Sequence, residues 1–238
     1  MFNKIFTLII NSLIIILTSC SSPEPLTYLV FVDYSISAST LESNNKEKFL
    51  ANLGKTWNSM IPNEELIIYP IHLLSETATP LFKTQKPIPN GDLNDRLNSK
   101  SSSTKFIELL GKKVFDEPSI SHDVRMGTNI YPILRKIKRF QDNTNVSVYI
   151  VSDMNHEYLD EQLNKTFSSY NSPDPYTHAE HKIDSLGFRS SLNRSDITIA
   201  IPGSYRGDVN DELTRASIIE YWENLFMLTG SSVKVVDL

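Results

Sequence analysis

The stretch Tyr28-Leu29-Val30-Phe31-Val32-Asp33-Tyr34-Ser35-Ile36-Ser37 decides how the rest of the chain is read. Apolar and aromatic residues run without polar alternation and then stop at an aspartate. Such a run predicts a strand buried on both faces of a parallel sheet. An Asp at its carboxyl end stands where open α/β sheets place ligands, in the crevice beyond the strand ends. Asp33, Ser35 and Ser37 put three oxygen side chains on one short loop. Carboxylate and hydroxyl oxygens suit a hard cation, Mg²⁺ or Mn²⁺, better than a soft metal. The same three residues also suit a helix N-terminus, where they would cap orphan amides.

Working outward, the pattern alternates strands with helices. A helix is expected over about Ser39 to Met60, with Phe49, Leu50, Leu53, Trp57 and Ile61 on one face. Its Gly54-Lys55-Thr56 lacks the earlier glycine and preceding strand of a phosphate-binding loop, and reads as helix surface. Leu66 to Leu74 is a second buried strand, and Thr79 to Lys83 a short edge strand. Asp92 to Leu97 and Thr104 to Phe115 read as helices, the latter with Phe106, Leu109, Leu110 and Val114 inward. Thr128 or Asn129 can cap the next helix, with Pro132 in its first turn. Val146 to Val151 is a third strong strand, and it too ends at an aspartate, Asp153. Glu157 to Phe167 and His178 to Leu186 read as helices, and Ile197 to Ile201 as a strand. A closing helix covers about Asp211 to Leu228 with Gly230 as its stop, before a last strand, Val233 to Val236. Strands alternating with helices imply right-handed crossovers and a doubly wound, mostly parallel sheet flanked by helices.

The 238 residues suffice for one such domain. The net charge is −5, and no basic block interleaved with aromatics occurs, so nucleic acid is not expected as a partner. The one cysteine, Cys20, excludes an intramolecular disulfide and a thiolate cluster. Residues 1–19 have the make-up of an export signal: Lys4, an apolar run from Ile5 to Leu17, and a polar exit. Leu17-Thr18-Ser19-Cys20 resembles the bacterial lipobox, in which the cysteine becomes the diacylated first residue of the mature protein. That resemblance implies a lipid anchor on the exported side of the cell membrane, and sorting to the outer membrane in a Gram-negative host. Residues 20–26 then form a proline-stiffened tether and 27–238 the domain.

Three loops together resemble the metal-ion-dependent adhesion site (MIDAS) of von Willebrand factor A (vWA) domains. Asp33, Ser35 and Ser37 match the first loop, Thr128 the second and Asp153 the third. The resemblance implies a vWA/Rossmann-like fold over essentially Leu26 to Leu238. It also implies Mg²⁺ or Mn²⁺ held by these five residues, and a protein ligand whose Asp or Glu carboxylate completes the coordination. The long section from Ser75 to Gly127 leaves the path to Thr128 open. An alternative is a vWA-fold scaffold of an envelope assembly that needs no metal. A Mg²⁺-dependent phosphohydrolase fits less well, because the residue two after Asp33 is Ser35, which cannot act as acid–base near neutral pH. No other enzyme signature is present, and the expectation is a non-enzyme. His156, His178 and His181 read as residues of polar surface segments, and Tyr221, Trp222 and Phe226 as core.

Overall fold

The computed structural model describes residues 25–35, 42–88, 103–116, 120, 123–160, 165–168, 174–202 and 212–238. Its centre is a six-stranded sheet of order β3-β2-β1-β4-β7-β8. The strands are β1 (Leu26–Asp33), β2 (Glu65–Ile71), β3 (Phe82–Gln85), β4 (Asn145–Val151), β7 (Ser195–Ile201) and β8 (Ser232–Asp237). All neighbours pair in parallel except β2 and β3, so β3 is an antiparallel edge. It lies about three residues later than the edge strand expected over Thr79 to Lys83. Counted within this sheet alone, the order is 3-2-1-4-5-6, that of a doubly wound fold. The chain winds outward in both directions from β1 and β4, so the switch point falls between them.

The unalternating run in β1 buries both its faces. Leu29 and Phe31 enter one core, Val30 and Val32 the other. The first core is covered by α3 (Pro132–Gln141), α4 (Pro175–Leu186) and α5 (Glu212–Leu228). Ile133, Leu134, Ile137, Ile183, Trp222 and Phe226 carry it. The opposite core is covered by α1 (Ser43–Ser59), through Phe49, Leu53 and Trp57, and by α2 (103–111) with the π-turn Lys112–Asp116. There Trp57 stacks on Phe106 at 4.2 Å, with Lys86 Nζ 4.4 Å above the indole. Each large apolar side chain sequestered this way contributes about 1.5–3 kcal/mol. Gly230, just beyond α5, takes φ +88°, a conformation that glycine adopts without steric cost. No described helix is long and apolar enough to cross a membrane.

Several expectations are corrected. Residues Glu157–Asp160 and Lys165–Ser168 are not helical but form β5 and β6, a separate antiparallel hairpin. Leu159, Leu163 and Phe167 have helical spacing, yet cross-strand register sets Tyr158 opposite Phe167 and Asp160 opposite Lys165. Leu109, expected inward, is 47% exposed. The i, i+4, i+8 stripe of Phe106, Leu110 and Val114 fills the interface and leaves Leu109 on its rim. Ile61 lies past the end of α1 and is also exposed. Neither Thr128 nor Asn129 caps α3. The cap position is Tyr131, with no side-chain cap, and Pro132 follows at the first helical position. The expected helix Asp92 to Leu97 lies outside the described residues, as do Cys20 and Ser37.

Candidate functional site

β1 delivers Asp33 to the switch point with no solvent exposure. Its Oδ1 accepts a hydrogen bond from the Ser35 amide at 2.8 Å, and its Oδ2 accepts one from Ser152 Oγ at 2.6 Å. Burial pushes the Asp33 carboxyl above the usual carboxylate range, and the bonds from Ser152 and Ser35 pull against that shift. Tyr34, between Asp33 and Ser35, is held from three sides. Its amide donates to Ile71 O at 3.0 Å, its carbonyl accepts from Arg125 Nε at 2.8 Å, and its phenol donates to Val114 O. Ser35 is itself buried, at 2% exposure.

The third loop follows β4. Val32 stands opposite Val151, so the next residues, Asp33 and Ser152, come side by side. Beyond them Ser152, Asp153, Met154, Asn155 and His156 are all buried. Ser152 Oγ accepts from the Met154 amide at 2.9 Å, and Asp153 Oδ1 accepts from the Asn155 amide at 2.9 Å. Met154 has φ +61°, a left-handed conformation costing a non-glycine residue about 1–2 kcal/mol. Trp222 Nε1 donates to the Met154 carbonyl at 2.7 Å and helps to hold it there.

The second loop brings Thr128, at 1% exposure, to the same edge. The Asn129 amide donates to His72 O, at the end of β2, at 3.3 Å. The Ile130 amide donates to His156 Nδ1 at 3.1 Å. His156, expected on a polar surface, is therefore a correction: it is 1% exposed. Burial, followed by the nearby Lys182 charge, lowers its pKa to about 3. His178, by contrast, is exposed and its ring packs 5.2 Å from that of Tyr221. Asp184, on the same helix, pairs with Arg189. Tyr221, Trp222 and Phe226 are core, as expected.

Thus Asp33, Ser35 and the third loop carrying Asp153 are directly linked, and Thr128 joins them through its neighbours Asn129 and Ile130. The donor atoms these four residues offer are all oxygen, which fits a hard divalent cation. Among the described residues no three His, Cys, Asp or Glu side chains cluster, so any cation here leans on hydroxyls as well as the two carboxylates. A cavity of about 160 Å³ lined by Glu76, Asn129, Tyr131, Arg135 and Phe188 opens beside the second loop. Ser152, Arg125, His156 and Trp222 are site residues that the sequence does not point to: Trp222 reads only as core and His156 as surface. Ser152 carried a signal, since it adjoins Asp153, but only the β1–β4 register puts it against Asp33.

No protein-family model matches the chain, and no curated protein matches it. Among solved structures it is similar to the ArnB paralog VWA2 from Sulfolobus acidocaldarius, at 14% identity and a TM-score of 0.46, over 91% of this chain and 42% of that one. It is similar to a von Willebrand factor type A protein from Catenulispora acidiphila, at 10% identity and a TM-score of 0.41, over 91% and 39%. It is also similar to proximal thread matrix protein 1 from the mussel byssus, described with a zinc-occupied MIDAS motif, at 10% identity and a TM-score of 0.44, over 90% and 41%. The chain spans about two fifths of the length of these structures. At these scores the fold is read from the chain's own sheet order and register: a mixed, mostly parallel α/β sheet of the vWA/Rossmann-like kind, flanked by helices.

Proposed function

We propose that this protein is an exported lipoprotein, anchored through Cys20, whose domain grips a protein partner through a divalent cation at the switch point. The observation that supports the reading most is the meeting of three loops there, two bearing buried carboxylates and all three bearing a buried hydroxyl. Asp33, Ser35, Ser37, Thr128 and Asp153 would hold Mg²⁺ or Mn²⁺, which when bound supplies a Lewis-acidic position for an outside carboxylate oxygen. The chain's own part is to orient oxygens and to limit their charge. Ser152 and the Ser35 amide fix the plane of the Asp33 carboxylate. Serine and threonine hydroxyls add donors without adding negative charge, which leaves room for an Asp or Glu of the partner. The anchor rests on Leu17 to Cys20 at the end of the apolar run. The residue two after Asp33 is a serine, which favours binding over phosphoryl hydrolysis.

A second reading keeps the domain as a scaffold of an envelope assembly without metal. It is favoured by one observation: both Asp33 carboxylate oxygens already accept hydrogen bonds from within the protein.

Melting of the full-length protein in detergent separates the two. With millimolar Mg²⁺ or Mn²⁺ the melting temperature rises over that in EDTA, by mass action on the folded state. Asp33→Asn, which keeps the shape and much of the bonding, abolishes the rise. Identical wild-type curves with and without the cation favour the scaffold. Membrane pull-downs with and without EDTA then test the partner, and mass spectrometry finding an unmodified Cys20 or an intact Met1 overturns the anchor.

A further inference from the structure

Three hydrogen bonds join the crevice loops into a closed ring. Ser152 Oγ to Asp33 Oδ2, at 2.6 Å, ties the third loop to the first. Arg125 Nε to the Tyr34 carbonyl, at 2.8 Å, ties the approach to the second loop to the first. The Ile130 amide to His156 Nδ1, at 3.1 Å, ties the second loop to the third. In this last link the acceptor is a single imidazole lone pair. Accepting at Nδ1 leaves the ring proton on Nε2. The ring is wedged edge-to-face against Tyr131, at 4.4 Å between centroids, and against Trp222, at 5.8 Å, so packing fixes its direction. Ile130 is two residues past Thr128, in a stretch where no side chain caps the following helix. The first-turn amides of Ile133 and Leu134 donate to the Ile130 and Tyr131 carbonyls, so the imidazole holds the chain just before the helix rather than capping it.

We infer that His156 is a positioning residue, carrying the geometry of the third loop to the second and so setting where the Thr128 hydroxyl stands relative to Asp33 and Asp153. Its consequence for a cation rests on the function proposed above; the hydrogen-bonded link does not. Partners that orient ligand-bearing groups typically contribute 10–100-fold to metal affinity. A ring without the lone pair would leave the buried Ile130 amide with no acceptor and would release residues 128–130.

The test uses ¹⁵N-labelled full-length protein in detergent. In EDTA the wild-type imidazole nitrogens should report an unprotonated Nδ1, coupled across the hydrogen bond to the Ile130 amide. His156→Phe keeps a ring between Tyr131 and Trp222 but removes the acceptor, and His156→Asn returns an acceptor near the Nδ1 place. In His156→Phe, amide exchange at Asn129 and Ile130 should accelerate while β1 stays protected. The Mn²⁺ dissociation constant should rise about tenfold or more, and His156→Asn should bring it back toward wild type. A wild-type Nδ1 carrying the proton, or a His156→Phe protein with wild-type Mn²⁺ affinity, overturns the inference. If the wild type binds no Mn²⁺, the cation reading fails, and unchanged Asn129 and Ile130 exchange in His156→Phe still overturns the link. If His156→Phe does not fold, the wild-type nitrogen shifts and coupling decide.

Discussion

Asp33 ends β1 and Asp153 lies two residues past the adjacent β4, and their loops are held by different means. The first loop is an extension of the sheet. Tyr34 donates to Ile71 O as if β1 continued, and Asp33 lies in the plane of strands paired on both sides. The third loop leaves the sheet and folds on itself. Ser152 and Asp153 accept from amides two residues ahead, Met154 turns left-handed, and Trp222 reaches from α5 to hold its carbonyl. Backbone pairing with β2, joined by the Arg125 side chain, maintains the first, whereas local side-chain bonds and Trp222, with no backbone ladder, maintain the third. The first should therefore persist when a single helix contact is lost, and the third should not.

The largest expected effect comes from Trp222→Ala. Removing this 1%-exposed indole should cost about 3–5 kcal/mol of stability, measured by urea unfolding. Amide exchange should accelerate at Met154 to His156 well before it does at Tyr34 and Ser35. Equal acceleration in both loops would break the contrast.

Acid comes next. The folded His156 pKa, about 3, lies below its ordinary 6.5, so the unfolded chain binds more protons between those values. Its contribution is complete above about pH 6.5 and is lost as pH falls toward 3, at about 1.4 kcal/mol per pH unit. Asp33, pushed up by burial, acts in the opposite sense, so the difference between wild type and His156→Asn in EDTA isolates the histidine. Unfolding curves from pH 7 to pH 4 should show the variant with the shallower decline.

Ser152→Ala sharpens the contrast at the point where the loops touch. It leaves Asp33 Oδ2 and the Met154 amide without their partner, at about 1–3 kcal/mol, and the added exchange should fall on Met154 rather than on β1. The smallest effect is expected outside both loops. Arg135 and Glu76 pair across exposed surface, and Arg135→Ala should change stability by less than about 1 kcal/mol without altering the cation response. A large shift there would mean that the rim cavity beside Asn129 shares in the site.

What could be read from the chain follows from how local each signal is. The run from Tyr28 to Asp33 fixes a doubly buried strand because its apolarity does not alternate, and Val146 to Val151, rich in β-branched residues, marks the strand before the second aspartate. The helix under Phe49, Leu53 and Trp57 was legible from spacing alone. The antiparallel pair of β5 and β6 was not, since Leu159, Leu163 and Phe167 satisfy helical spacing in the sequence and strand pairing is a non-local feature. His156 was misjudged for a related reason: its neighbours in sequence are polar, while its neighbours in space are Tyr131 and Trp222.

The sequence by itself determined the strands of the main sheet, their alternation with helices, and two carboxylates at or just past strand ends, because hydrophobic periodicity and strand-terminating polar residues act over a few positions. Tertiary structure alone decided that Ser152 faces Asp33, that the Ile130 amide meets His156 and that Trp222 grips Met154. Those contacts join residues 26 to 119 positions apart. They depend on strand register and on helix placement over the sheet, which are set by the cooperative filling of two cores rather than by any local stretch of chain.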